Sequence, residues 1–148
     1  MSQRGWVCKK GELPTKDSKY FANMTRVVFQ AGLNWKVITT KWLDFQDAFA
    51  NFDPEKVAQF TEADIQRLMT NKAIVRNERK IRATINNAEI FKEIVAEVGS
   101  FRNYLETLLT TQGLDKTIKT LQNRFNRLGK TSSFIFLWSV GVDVPHPD

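Results

Sequence analysis

One of the four tryptophans in this chain of 148 residues follows a turn, at a place where a flat ligand could meet it. In the stretch "FQAGLNWKVITTKW", Trp35 comes directly after Gly32-Leu33-Asn34, where a helix is expected to end. A ring at the start of the next helix can stand in a cleft and stack on a nucleobase. Core packing explains such a tryptophan equally well, because most tryptophans of a small chain are buried with one edge of the ring exposed to solvent. Both interpretations stay open from these residues alone.

A second stretch, "NRLGKTSS", has the composition of a phosphate-binding turn. Gly129 allows a tight turn, and a helix that starts near Thr131 would expose backbone amides at its positive end to a DNA phosphate. Basic residues surround the turn, namely Lys116, Lys119, Arg124, Arg127 and Lys130. An ordinary loop with a solvated basic face produces the same pattern, and it is the commoner explanation when these residues are considered alone.

A further basic group, "VRNERKIR", contains Arg76, Arg79, Lys80 and Arg82 at the start of a long helical pattern. The pattern favours a solvated helix terminus over a DNA contact.

The composition favours a single globular domain with a polyanionic partner. Hydrophobic residues make up 42% of the chain, and no apolar run approaches the ~20 residues of a membrane span. With one cysteine, Cys8, and no secretory signal pattern, we expect a soluble protein of the reducing cytoplasm. The net charge of +6 and the pI of about 9.6 favour nucleic acid, although an anionic membrane surface or a merely solvated basic surface would also suit them.

The hydrophobic spacing predicts an all-α fold. Helices are expected from Asp17 to the break at Gly32, after a cap at Asn34, at Asp53-Pro54, after a capping box at Thr61 and Asp64, and over residues 76–98. Three more are expected at "FRNYLETLL" after Ser100, near residues 115–127 and over residues 131–140. No segment alternates at period two, so residues 1–148 are predicted to form one helical domain, with residues 1–12 irregular.

Several ordered motifs together resemble the DNA-3-methyladenine glycosylase I family of the helix-hairpin-helix superfamily. They are "FQAGLNW", "NFDPEKVAQF" and "IVRNERKIRATINNAEIF", followed by the turn at Gly129, and the resemblance extends from about Leu13 to Gly141. It implies an all-α fold with a helix-hairpin-helix DNA-binding element. The implied activity is base-excision repair: the protein flips an alkylated adenine out of the duplex and hydrolyses its glycosidic bond.

The resemblance also implies roles for particular residues. Trp35 matches the tryptophan that stacks on the extruded base, Gly32 and Leu33 match the loop that lies against the DNA, and Trp6 matches a pocket-closing residue. The base-recognising glutamate of the family falls at Val27, where no carboxylate remains. For the hairpin, the implied DNA contacts are Arg124, Arg127, Gly129, Lys130 and Thr131.

The family's zinc site is not expected here. Arg4 stands at the first cysteine position, the segment with the first histidine is missing between Lys10 and Leu13, and Cys8 with His146 is a poor ligand set. No cofactor is therefore predicted. Asp143 in "GVDVPH" resembles the wider superfamily's aspartate that stabilises positive charge at the sugar, and it is the catalytic candidate. Lys130-Thr131 resembles the pair of bifunctional members in which lysine forms a Schiff base with the sugar, but a phosphate contact is favoured for Lys130.

The sequence thus predicts a divergent glycosylase that acts on duplex DNA with alkylated bases, as a monomer and away from membranes. The alternative is a non-catalytic DNA-binding module that retains the hairpin and the loop but has lost the chemistry with Val27. A purely structural interaction domain is a third possibility, and it would require the basic clusters to lie on unrelated faces.

Overall fold

The computed structural model describes residues 6–145, which fold into seven α-helices with no β-strand in that range. The helices are α1 (Asp17–Gln30), α2 (Trp35–Ala48), α3 (Pro54–Val57), α4 (Glu62–Met69), α5 (Glu78–Val98), α6 (Phe101–Arg124) and α7 (Lys130–Ser139). A left-handed turn at Ala50–Phe52 joins α2 to α3. The prediction of an all-α fold is confirmed. No helix of the described part is long and apolar enough to cross a bilayer.

The helix ends follow local side-chain chemistry. The side chain of Asn34 accepts a hydrogen bond from the Lys36 amide at 2.9 Å at the start of α2. Thr61 and Asp64 form a capping box before α4, and Ser100 accepts from the Asn103 amide before α6. These caps lie where the sequence predicts them, because each needs only residues within one turn.

The end of α6 differs from the prediction. The helical element from Phe101 to Arg124 consists of the two helices that the sequence predicts, because Gly113 at their junction is non-helical (φ 82°, ψ 175°). The helix stops at Arg124 and not at Arg127, since Phe125 is extended and Arg127 has a positive φ of 56°. Residues 125–129 therefore form a turn that leads into α7.

The core is built around α1, which contacts α2, α5, α6 and α7. Its aromatic residues are closely packed: the Phe91 and Phe101 rings stack at 4.4 Å, and Phe21 meets Phe91 edge-on at 5.3 Å. The C-terminal turn of α1 is buried with this core, and the loop that follows it, residues 31–34, lies at the surface.

Candidate nucleic-acid interface and base pocket

The loop after α1 presents apolar side chains to solvent. Gly32 takes a positive φ of 79°, which reverses the chain and suits glycine. Leu33 remains 42% exposed and Trp35 43% exposed, although both are large apolar residues. Trp35 therefore has no full core role. Two exposed apolar side chains beside a glycine turn give a flat, stackable partner a surface to contact.

Lys80 anchors this loop from α5. Its Nζ donates hydrogen bonds to the carbonyl oxygens of Phe29 at 3.0 Å and Ala31 at 2.7 Å, at the C-terminal end of α1. A cation at these carbonyls is favourable because the helix dipole is negative there. Only 6% of Lys80 is exposed, so the expectation of a solvated helix terminus is wrong for this residue. Burial lowers the pKa of Lys80, and the charge of Arg127 lowers it further.

The turn before α7 is anchored by the same helix. The Asn87 carboxamide accepts a hydrogen bond from the Asn126 amide at 2.7 Å and donates one to the Asn126 carbonyl at 3.2 Å. Asn87 lies seven residues after Lys80 on α5, hence on the same face. One face of α5 thus sets the relative positions of the loop after α1 and the turn before α7, two segments that are about 90 residues apart in sequence.

The hairpin residues that the sequence singled out separate into two groups. Arg127, Gly129, Lys130 and Thr131 are exposed together at the turn and at the start of α7. Arg124 instead faces α5: its guanidinium lies 3.6 Å from Glu97 and 5.3 Å from the Tyr104 ring centroid. The turn itself, more than Arg124, offers positive charge and helix-start amides to an anionic partner.

Next to Val27 lies a buried cation that the sequence analysis missed. Val27 is 2% exposed and forms part of the core, whereas Arg26 is fully buried between two tryptophans. The Arg26 guanidinium carbon is 4.7 Å from the Trp6 ring centroid and 5.1 Å from that of Trp42. An arginine between the apolar residues Met24 and Val27 was the signal that could have revealed it.

Hydrogen bonds hold Arg26 against α2 without neutralising its charge. Its Nε donates to Gln30 at 2.8 Å and its Nη2 to the Thr39 hydroxyl at 2.5 Å. No carboxylate within residues 6–145 forms an ion pair with it. Burial lowers the pKa of Arg26 to about 10. Among residues 6–145, the Nη1 atom of Arg26 and the Nε1 atom of Trp6 are buried without a hydrogen-bond partner.

A hydrogen bond from a buried polar side chain positions Trp6, which borders a small cavity. The Asn23 side chain donates to the Trp6 carbonyl at 2.7 Å. Trp6 and Trp42 line a cavity of about 240 Å³ together with Asn23 and Gln46. Trp42 is half-buried and stacks on Phe52 at 4.8 Å.

The described residues do not fit a zinc site. Within residues 6–145, no three His, Cys, Asp or Glu side chains converge, while Arg4 and His146 lie outside the described residues. Burial raises the pKa of the Cys8 thiol, which disfavours the thiolate that a metal needs. The N-terminal segment is instead held by main-chain hydrogen bonds, from the Cys8 amide to the Ser139 carbonyl and from Gly11 to Gly141. A Cβ at Gly141 would lie 2.6 Å from the Lys9 and Glu12 carbonyl oxygens, so this contact requires glycine.

Asp143 follows α7 as an exposed carboxylate. Its Oδ1 lies 3.0 Å from Lys10 Nζ, and both side chains are largely in solvent. The structure thus gives Asp143 a basic neighbour from the N-terminal segment.

Comparison with known proteins identifies the family to which the chain belongs. A family model described as methyladenine glycosylase matches residues 9–143. DNA-3-methyladenine glycosylase 1 of Escherichia coli is 31% identical over a 175-residue alignment that covers 99% of this chain and 94% of the relative. The Haemophilus influenzae DNA-3-methyladenine glycosylase is 28% identical, over 79% of this chain and 73% of its own. The solved 3-methyladenine DNA glycosylase I of Staphylococcus aureus superposes with a TM-score of 0.80 at 30% identity, covering 94% and 84% of the two chains.

Proposed function

Because the chain belongs to the methyladenine glycosylase family, we propose that it binds damaged duplex DNA, flips an alkylated base out of the stack and hydrolyses its N-glycosidic bond. The observation that carries the proposal is the exposed Trp35 beside the anchored Gly32-Leu33 loop. A stacking ring that is already at the surface can receive a base without prior rearrangement of the core.

In this proposal, the two segments that α5 anchors, the loop after α1 and the turn before α7, have separate functions. Arg127, Lys130 and the first amides of α7 bind backbone phosphates and hold the duplex, in the manner of a helix-hairpin-helix. Leu33 enters the base stack where the nucleotide leaves it. Trp35 then stacks on the extruded base, which offsets the few kcal/mol needed to unstack it. Lys80 and Asn87 keep the two loops at a constant spacing during these steps.

Hydrolysis breaks the bond between C1′ of the sugar and the base nitrogen, and water supplies a hydroxyl to C1′ and a proton to the base. Positive charge develops at the sugar as the base leaves, and we propose that Asp143 stabilises it. Val27 supplies no charge and acts as an apolar wall. The ligand set of the described residues favours a protein that works without metal.

The test is release of free base from alkylated duplex DNA by the purified chain, measured by chromatography. Release by the unmodified protein, with a large loss in Asp143→Asn, is expected. A Glu12→Gln variant is the matched control, because Glu12 is another exposed carboxylate of the same region, beside Lys9. Duplex binding without any release by the unmodified chain would contradict the enzymatic proposal.

One observation favours the alternative, a non-catalytic DNA-binding module. Val27 stands where the family places a carboxylate, and the neighbouring Arg26 has no ion-pair partner within residues 6–145, so this part of α1 offers no negative charge to a cationic base. For such a module, lesion-dependent binding is expected to persist in Asp143→Asn while no variant releases base.

A further inference from the structure

The cavity that Trp6 borders lies along the first half of α1. It has a volume of about 240 Å³, and the residues that α1 and its N-cap contribute to it fall between Lys16 and Asn23. The loop with Gly32 and Leu33 follows the other end of the helix, which is about 20 Å long. This cavity is therefore distinct from the surface at which base capture is proposed.

The lining of the cavity carries positive charge and no negative charge. Lys16 and Lys19 both line it, and none of its described lining residues is an aspartate or a glutamate. Asp17, which separates the two lysines in sequence, lines a neighbouring cavity instead and accepts a hydrogen bond from the Phe101 amide at 2.9 Å. An anion in the cavity thus meets two cations and no lining carboxylate that would repel it.

The start of α1 adds neutral donors to this charge. Lys16 is the N-cap residue, and no side chain makes a capping hydrogen bond there. The first amides of α1 consequently lack a side-chain acceptor, and the positive end of the helix dipole lies beside the cavity. Ser18, in the first turn, contributes a hydroxyl to the lining. Donors of these kinds favour an oxyanion.

Trp6 supplies a buried donor that no protein group satisfies. Only 4% of Trp6 is exposed and it lines the cavity, yet its Nε1 has no hydrogen-bond partner within residues 6–145. The Arg26 guanidinium covers one face of the ring, 4.7 Å from its centroid, so a ligand is expected at the electropositive ring edge that bears the N–H. Because an unsatisfied buried donor is unfavourable, an acceptor atom of a ligand would be stabilised there.

A further positive charge lies behind the lining. Arg26 does not line the cavity, but its guanidinium contacts the rings of Trp6 and Trp42, which do. No carboxylate within residues 6–145 forms an ion pair with Arg26. Solvent screens a buried charge less than an exposed one, so Arg26 adds to the attraction for an anion.

From these groups we infer that the cavity binds a phosphate group, with Trp6 Nε1, Lys16 and Lys19 as its main partners. A phosphate dianion matches two lysines in charge and has acceptor oxygens for the surrounding donors. The volume is below the roughly 300–1,000 Å³ of most pockets for drug-sized ligands, so the phosphate itself should make most of the contacts. Inorganic phosphate and a nucleoside monophosphate share this chemistry. The inference is independent of the proposed glycosylase activity, since it uses neither the Trp35 loop nor the α6–α7 turn.

The experiment follows the indole N–H signals of the four tryptophans by proton–nitrogen NMR during titration with inorganic phosphate, AMP or adenosine. Sodium chloride keeps the ionic strength constant, so that screening is equal at every step. Loss of one signal in Trp6→Phe identifies the Trp6 signal. Should that variant fail to fold, phenylalanine replacements of Trp35, Trp42 and Trp138, made one at a time, identify it by elimination.

A double variant, Lys16→Met with Lys19→Met, removes the two lysines of the cavity. Its matched control is Lys56→Met with Lys92→Met, which removes the same charge elsewhere, because Lys56 lies on α3 and Lys92 lines the neighbouring cavity. Should the first double variant fail to fold, Lys16→Met alone serves in its place, with Lys56→Met as its control.

Phosphate or AMP should move the Trp6 signal saturably to lower field, since its N–H gains an anionic acceptor, while the Trp35 signal stays in place. Adenosine, which has no phosphate, should move neither. The affinity should fall about tenfold or more in the Lys16/Lys19 variant and remain unchanged in the control. Tighter binding of AMP than of inorganic phosphate would identify a nucleotide as the ligand, and equal or weaker binding would identify the free ion.

A Trp6 signal that responds to neither phosphate nor AMP would overturn the inference. The same holds if adenosine moves this signal as far as AMP does, or if the Lys16/Lys19 variant binds as tightly as its control. None of these results bears on the release of base from alkylated DNA, so the proposed function stands or fails separately.

Discussion

Replacement of Trp35 by alanine should abolish the preference for damaged DNA while the fold and general DNA binding persist. Stacking of one base on an aromatic side chain contributes about 1–3 kcal/mol, which corresponds to roughly 5- to 150-fold in affinity. In the proposed function, non-specific affinity comes from phosphate contacts at the α6–α7 turn, so this affinity should change little in the variant.

The exposed fraction of Trp35 sets an upper limit on the stability that the alanine replacement removes. A tryptophan presents roughly 200 Å² of surface, and with 43% of Trp35 exposed, about 120 Å² is buried. At about 25 cal/mol per Å² its removal lowers the free energy of unfolding by at most about 3 kcal/mol. A domain of ordinary stability, about 5–15 kcal/mol, tolerates this loss.

The assay is the ratio of dissociation constants for lesion-bearing and undamaged duplexes, together with thermal unfolding of each variant. Leu43→Ala is the matched control, because Leu43 lies on the same helix and is 76% exposed. The control should leave the ratio unchanged. A folded Trp35→Ala protein with the original ratio would refute the stacking role, and global unfolding of the variant would show that Trp35 is a core residue after all.

Four further predictions concern the rest of the site. Lys130→Glu should weaken binding to all duplexes alike and lower the log-log salt slope by about 1–2, whereas Lys56→Glu on α3 should not; equal effects would exclude the turn as the DNA contact. Lys80→Met should lower the free energy of unfolding by about 3 kcal/mol in urea titrations, through loss of two hydrogen bonds from a charged donor, and an unchanged midpoint would show that these bonds are unimportant. Val27→Glu should raise release of 3-methyladenine above that of the starting chain, since a carboxylate there can offset the charge of Arg26; a folded variant with unchanged release would contradict this. The chain should fold without zinc, and stoichiometric zinc in elemental analysis of protein purified without chelator would contradict that expectation.

The sequence alone determined those features that depend on neighbouring residues. The breaks at Gly32 and Gly99, the caps at Asn34 and Ser100, and the capping box before α4 lie where the pattern predicts them. Each uses hydrogen bonds within a single turn, or a glycine that adopts positive φ, so no distant segment is needed to specify it. The family was also evident from sequence, because its motifs lie in order along the chain.

Only the tertiary structure decided what the basic residues do. Arg26 and Lys80 are both charged residues within amphipathic helices, and local pattern treats such residues as solvated. Their burial is possible because partners arrive from other elements: Trp6, Thr39 and Trp42 around Arg26, and the carbonyls at the end of α1 around Lys80. Since the cost of burying a charge depends on those distant groups, the sequence of one helix does not determine whether its cation faces water or the protein interior.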